Sequence, residues 1–295
     1  MLSYAQAIVI GALQGVTELF PVSSLGHSVL VPAWIGWTHL VQAQSQKESF
    51  YLAFVVALHV ATALALLVYF RADWVRIIRA FFRTLRTRRL ETPDERIAWL
   101  LVVATIPAGI TGVALEHTFR TLFAKPLAAA IFLTINGLIL FAGERVRRQA
   151  AVRKVAVGHG TKGGPGDARR LDTLDFKEAG VIGVAQIGAL LAGISRSGIT
   201  MVAGLVRGLD HEDAARFSFL LATPIIFAAG VYKIPDLLGP LGNGVRGQAL
   251  VGALCAAAAA YVSVRFLMRF FETRSLLPFA VYCLAAGVVS IIRFA

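Results

Sequence analysis

The chain has 295 residues, of which 57% are hydrophobic and only 16% charged, with a mean hydropathy of +0.70. So little polar surface cannot cover a water-soluble domain, so the composition excludes one and indicates an integral membrane protein. The net charge of +12 lies in the segments flanking apolar runs, where contact with anionic headgroups explains it and a nucleic-acid partner is not needed.

Residues 2–36 are too short for two complete spans with a turn, yet too apolar for a loop, and their polar cluster QGVTELFPVSSLGHS, residues 14–28, falls near the middle. A helix, break, helix hairpin that enters the membrane partway and returns fits this pattern, because non-helical backbone at that depth must be buried in protein or line a wet cavity. Spans of about 20 uncharged residues, enough to cross roughly 30 Å of hydrocarbon, are predicted at 50–70, 97–115 and 126–143. A glycine-rich charged stretch, 153–170, reads as flexible linker, and His159 within it as a solvated side chain. Residues 179–208 repeat the hairpin pattern with a break at Gly193 and Ile194, and further spans are predicted at 217–232, 247–264 and 275–292. Pro107 and Pro224 fall inside spans, where neighbouring helices can satisfy the freed carbonyls. Cys255 and Cys283 lie in apolar runs and read as small core residues.

The expected fold is an all-α integral membrane protein with six transmembrane helices plus two re-entrant helical hairpins. It forms a single membrane domain, 1–295, with repeat one about 1–143, a flexible cytoplasmic linker about 144–177 and repeat two about 178–295. The connection 71–96 carries eight basic and four acidic residues, and 144–177 carries nine and four. Excess Lys and Arg mark cytoplasmic segments, so both connections face inward and both termini outward. Arg207, His211, Arg216, Arg265, Arg269 and Arg274 then also fall on the cytoplasmic side. The hairpins enter from opposite faces, the pattern of an inverted-topology repeat with its site near the midplane. Gly11 and Gly183, Gln14 and Gln186, Ser23 and Ser195, and Gly26 and Gly198 coincide when the halves are offset by 172 positions.

Ionisable groups at membrane depth cost about 2.5–3.5 kcal/mol each on insertion scales, so they are expected to line a cavity and act there. Gln14 and Glu18 are four apart and share a helix face, where they can hold a divalent cation or aim one carboxylate at a proton. Pro21 ends that helix, Ser23 or Ser24 can cap the next, and Gly26 permits close backbone approach. Ser24 and His27 share a face, setting a hydroxyl nucleophile beside an imidazole and a carboxylate. In the second cluster Gly193 supplies a turn, while Ser195, Arg196, Ser197 and Thr200 supply a guanidinium, three hydroxyls and helix-start amides suited to phosphate. A purely structural reading also exists, with serine caps and a Glu18–Arg196 pair. Together the clusters form a carboxylate side and a phosphate side, the division expected for metal-assisted phosphoryl transfer.

The segment QGVTELFPVSSLGH resembles the (E/Q)xxxE plus PVSSxGH region of the undecaprenyl-diphosphate phosphatase family, the bacitracin-resistance proteins, and AGISRSGIT resembles its PGxSRSxxT motif. Order, spacing and hydrophobic profile match over essentially the whole chain. The resemblance implies a multi-pass enzyme of the bacterial plasma (inner) membrane that hydrolyses the terminal phosphate of undecaprenyl diphosphate. Its products are undecaprenyl phosphate and inorganic phosphate, which recycles the lipid carrier for peptidoglycan synthesis and confers bacitracin resistance. It also implies a Mg²⁺ or Ca²⁺ requirement and a site open to the outer side.

Matched to the motifs, Gln14 and Glu18 are the metal positions, and Glu18, Ser24, His27 and Arg196 the catalytic ones. Ser195, Arg196, Ser197 and Thr200 bind substrate phosphate. Expected partners are the polyprenyl diphosphate, membrane lipids and a second copy of the chain in a homodimer, with no nucleic acid. Three positions depart from the pattern or vary within it. Gln14 leaves Glu18 as the only carboxylate of its pair. Ala192 replaces a proline, so the second break rests on Gly193, and Cys283 stands after Tyr282 where the family commonly has Arg. The rival reading is a secondary transporter or polyprenyl-phosphate flippase built on the same inverted repeat.

Overall fold

The computed structural model describes residues 2–44, 50–123, 125–156, 169–239 and 242–295. Residues 157–168 of the expected linker, His159 included, lie outside the described residues. Ser3 opens the first helix, α1 (Tyr4–Thr17), through a capping box with Gln6, which satisfies two of the amide donors exposed at the helix start. After a turn at 18–22, α2 (Ser24–Trp34) runs back, and α3 (Thr38–Gln44) leads to α4 (Phe50–Tyr69). The second half holds the broken pair α8 (Phe176–Ala185) and α9 (Arg196–Val206), with a short 3₁₀ segment, Gln186–Leu190, between them.

A helix covers each of the six predicted spans. Beyond α4 they are α6 (Pro93–Phe123), α7 (Pro126–Ala156), α10 (His211–Leu238), α11 (Arg246–Phe271) and α12 (Leu277–Phe294). These five are long and apolar enough to cross a membrane, and the α4 crossing turns by 88° into α5 (Arg71–Thr87). Pro107 and Pro224 sit within continuous helices. Where the sequence analysis placed only a basic connection, 71–96, the structure has a helix over most of its length. Three sides explain α5: Ile77, Ala80 and Thr84 are buried, Val75, Ile78, Phe82 and Leu85 form an exposed apolar stripe, and arginines take the rest. That distribution is the amphipathic form suited to a membrane surface.

Small residues let the hairpins pack closely, as is usual between membrane helices. A Cβ on Gly11 of α1 would lie 2.2 Å from the Gly252 carbonyl of α11, and one on Gly183 of α8 would lie 2.5 Å from the Ala104 carbonyl of α6. The first hairpin shares a core with Leu40 of α3, Tyr51 near the start of α4 and Val245 at the start of α11. The second is tied at the opposite end of the bundle, where Arg96 Nε donates to Leu174 O at 3.0 Å and Leu171 N–H to Asp213 Oδ2 at 2.9 Å. The two hairpins therefore enter from opposite ends.

Candidate active site

The breaks meet tip to tip because their backbones touch. Ser23 adopts φ +71°, and its hydroxyl accepts N–H groups from Gly26 of its own helix and from Gly193 of the other break, each at 3.2 Å. Gly193 has φ +118°, and a Cβ there would lie 2.5 Å from the Ala129 carbonyl, so only glycine fits. With Ala192 in place of proline, Gly193 does carry the second turn. Ser195 caps α9 through Gly198 N–H at 3.1 Å.

Asn136 of α7, fully buried, locks both breaks at once. Its amide donates to Pro21 O at 3.0 Å and accepts the Ser195 N–H at 3.0 Å. The same amide contacts Cys283 Sγ at 3.3 Å. Cys283 is therefore packed against the frame behind the breaks.

Glu18 is the hub. Its Oε2 accepts the Ser24 hydroxyl at 2.5 Å and the Gln14 amide at 3.2 Å, and lies 3.3 Å from His59 Nε2. Its Oε1 faces Arg196 Nη2 at 3.2 Å. The structural pairing of Glu18 with Arg196 thus exists, and Ser24 sits on the same carboxylate. Arg196 Nη1 donates to Ser218 O at 3.1 Å, while its Nε is buried with no partner among the described residues. A buried donor left open is costly unless a ligand fills it. His59 Nδ1 lies 2.8 Å from Val55 O, so both ring nitrogens face oxygen acceptors.

His27 does not reach Ser24 as the shared helix face suggested. Its Nδ1 donates to Ser23 O at 2.7 Å, because a carbonyl can only accept. Nε2 is then the acceptor for the Tyr282 hydroxyl, also at 2.7 Å. Ser195, Ser197 and Thr200 are all buried, and their hydroxyls bond internally. Ser195 and Ser197 share a bond, Ser197 donates to Phe20 O, and Thr200 lies 2.7 Å from the Ser218 hydroxyl. Beside them the first amides of α9, on Arg196 and Ser197, make no hydrogen bond among those of the described residues.

His59, Asn136 and Ser218 were not singled out from the sequence, and Tyr282 entered only as the residue before Cys283. The signal for His59 was available, since an ionisable group in the middle of an uncharged span is itself an indication.

No three His, Cys, Asp or Glu side chains gather as a metal site among the described residues. The hard oxygens of Glu18, Gln14 and Ser24 do suit Mg²⁺ or Ca²⁺, which accept one or two carboxylates when substrate phosphates complete the shell.

Residues 7–289 match the model of a family described as bacitracin resistance protein BacA. The chain is 60% identical to "Undecaprenyl-diphosphatase 2" of Frankia alni, over 100% of this chain and 98% of that one. It is 58% identical, with the same coverage, to "Undecaprenyl-diphosphatase" of Mycolicibacterium paratuberculosis. Identity is 47% to "Undecaprenyl-diphosphatase 2" of Burkholderia ambifaria, covering 95% of this chain and 93% of that one. The chain belongs to the BacA family of bacitracin resistance proteins.

Proposed function

We propose that this plasma-membrane protein hydrolyses undecaprenyl diphosphate to undecaprenyl phosphate and inorganic phosphate, recycling the lipid carrier for peptidoglycan synthesis. The observation that carries the site assignment is the Ser24 hydroxyl seated on Glu18, opposite an Arg196 guanidinium with an open donor. Glu18 takes the Ser24 proton as Oγ attacks the terminal phosphorus. The bond to the bridging oxygen breaks, undecaprenyl phosphate leaves with that oxygen and the proton from Glu18, and the phosphoryl group stays on Ser24. Water, deprotonated by Glu18, then releases inorganic phosphate and restores the hydroxyl.

Arg196, the amides of Arg196 and Ser197, and the His59 ring supply donors where negative charge builds. Ser195, Ser197 and Thr200 brace the turn that presents them. His27, fixed between Ser23 and Tyr282, orients the start of α2. Gln14 and Glu18 are the residues that would hold Mg²⁺ or Ca²⁺, and such an ion supplies neutralisation of the diphosphate charge.

Corresponding packing of α1 on α11 and of α8 on α6 supports an inverted repeat. With the arginine-rich end in the cytoplasm, the first hairpin descends from the outer side and carries Ser24 at its tip. The Ser23 hydroxyl ties both breaks together, which weighs against a transporter that rocks one half on the other.

The test is phosphate release from undecaprenyl diphosphate by detergent-purified protein. Glu18→Ala and Arg196→Ala should each lower it by about 10²–10³-fold, and a wild-type rate in either variant overturns the site. Trapped phosphate on Ser24 supports the covalent route, whereas trapping elsewhere, or solvent oxygen entering in a single displacement, overturns it.

A further inference from the structure

Outside the Glu18–Arg196 site, one end of α11 gathers cations that no carboxylate pairs with among the described residues. Arg265 and Arg269 are four apart and so stack on one face. With Arg274, Thr273, Val262, Phe266 and Phe270 they line an open cleft of about 450 Å³. Arg76, Arg83 and Arg216 at the same end each meet a carboxylate. Arg265, Arg269 and Arg274 have no ion pair or side-chain hydrogen bond among the described residues, although Glu272 is close in sequence. The C-terminus of a helix carries negative potential, so any attraction for an anion here comes from the guanidinium groups.

The cleft is amphiphilic as well as basic. Val262 is 67% and Phe266 51% exposed; Val262 precedes Arg265 by three residues and Phe266 lies between Arg265 and Arg269 along α11. Tyr261 and Tyr69 pack beside this face with ring centroids 6.1 Å apart, as aromatic side chains do at headgroup level. The Lys and Arg excess places this end in the cytoplasm.

We propose that this cleft binds an anionic phospholipid of the cytoplasmic leaflet, its phosphate among Arg265, Arg269 and Arg274 and an acyl chain along Val262 and Phe266. Uncompensated charge fits the headgroup, and the adjoining apolar wall selects a lipid over a free phosphate ion. Basic clefts at cytoplasmic helix ends are suited to such headgroups.

The test uses the full-length purified protein in detergent, titrated with phosphatidylglycerol, phosphatidylcholine or inorganic phosphate, with bound ligand counted by native mass spectrometry. Wild type should hold one phosphatidylglycerol at least tenfold more tightly than phosphatidylcholine. The Arg265→Gln/Arg269→Gln/Arg274→Gln variant should lose that preference, while the charge-matched variant Arg79→Gln/Arg86→Gln/Arg88→Gln of α5 and its C-cap keeps it. Equal loss in both variants, retention in the α11 variant, or displacement of the lipid by millimolar inorganic phosphate overturns the proposal. If the triple variant fails to fold, Arg269→Gln alone should weaken phosphatidylglycerol binding severalfold, and unchanged binding in that variant overturns it too.

Discussion

The first and second breaks use the same backbone device and load it with opposite chemistry. Ser23 and Ser195 each cap the helix that follows, with Gly26 and Gly198 as matching donors. Where the first break carries Glu18, Ser24 and His27, the corresponding positions of the second are Leu190, Arg196 and Ile199. The frame is therefore common to both halves, and the anion and cation that need each other at membrane depth are supplied one from each. A buried charge is tolerable only when paired, so Arg196 depends on the first half for its anion, while Glu18 has His59 of its own half beside it as well as Arg196.

The sharpest way to break this comparison is to exchange the charges. Glu18→Arg with Arg196→Glu keeps an ion pair but puts it on the wrong hairpins. Each single change should cost about 3–5 kcal/mol by stranding a buried charge. The double variant should recover most of the thermal stability while phosphate release stays down by about 10³-fold or more. Recovered activity would reduce the pair to a structural role.

Next comes the tip contact. Gly193→Ala combines a positive φ with a Cβ 2.5 Å from a carbonyl oxygen, and should lower stability by about 3 kcal/mol. Gly26→Ala, whose Cβ would meet Gly193 Cα at 2.9 Å, should cost less, as thermal unfolding in detergent would rank them.

Asn136→Ala, which strands Ser195 N–H and leaves Pro21 O only the Cys283 thiol at 3.8 Å, should cost about 2 kcal/mol. Asn136→Asp retains an acceptor for Ser195 and should recover part of that loss.

The smallest effect is expected at the entry to the second hairpin, where Arg169 Nη1 meets Glu178 Oε1 at 2.6 Å. That hydrogen bond holds the Glu178 carboxyl below the usual carboxylate range. A lowered folded value means stabilisation present above the unfolded value near 4.5 and lost as pH falls through the folded one. Glu178→Gln should therefore cost about 0.5 kcal/mol at pH 7, a difference that shrinks as pH falls through the folded value.

Spans and hairpins were legible because the membrane demands long uncharged runs and penalises any interruption. Glu18, Ser24 and Arg196 were legible for the same reason, as polar groups clustered where lipid should be. Asn136 was not, because a single amide among alanines and leucines gives no local signal and its partners lie 115 and 59 residues away. Tyr282 meets His27 across 255 residues. The α5 helix escaped notice because its arginines, counted for charge, obscured a helical period. Ser195, Ser197 and Thr200 read as phosphate ligands by type, and in the structure the Ser195 hydroxyl bonds Ser197, that of Ser197 bonds Phe20 O and that of Thr200 bonds Ser218.

The close seam between Gly11 and Gly252 also sets an order of events during synthesis. The surface on which α1 packs is made 241 residues after α1 itself. At 5–20 residues per second the first hairpin waits roughly 12–48 s for its partner, with Glu18 still lacking Arg196 for most of that time. Until the C-terminal third emerges, that half-built polar tip must be sheltered by the insertion machinery or stay at the membrane surface. Truncation before α11 should therefore leave the N-terminal hairpin open to proteases that the finished protein resists.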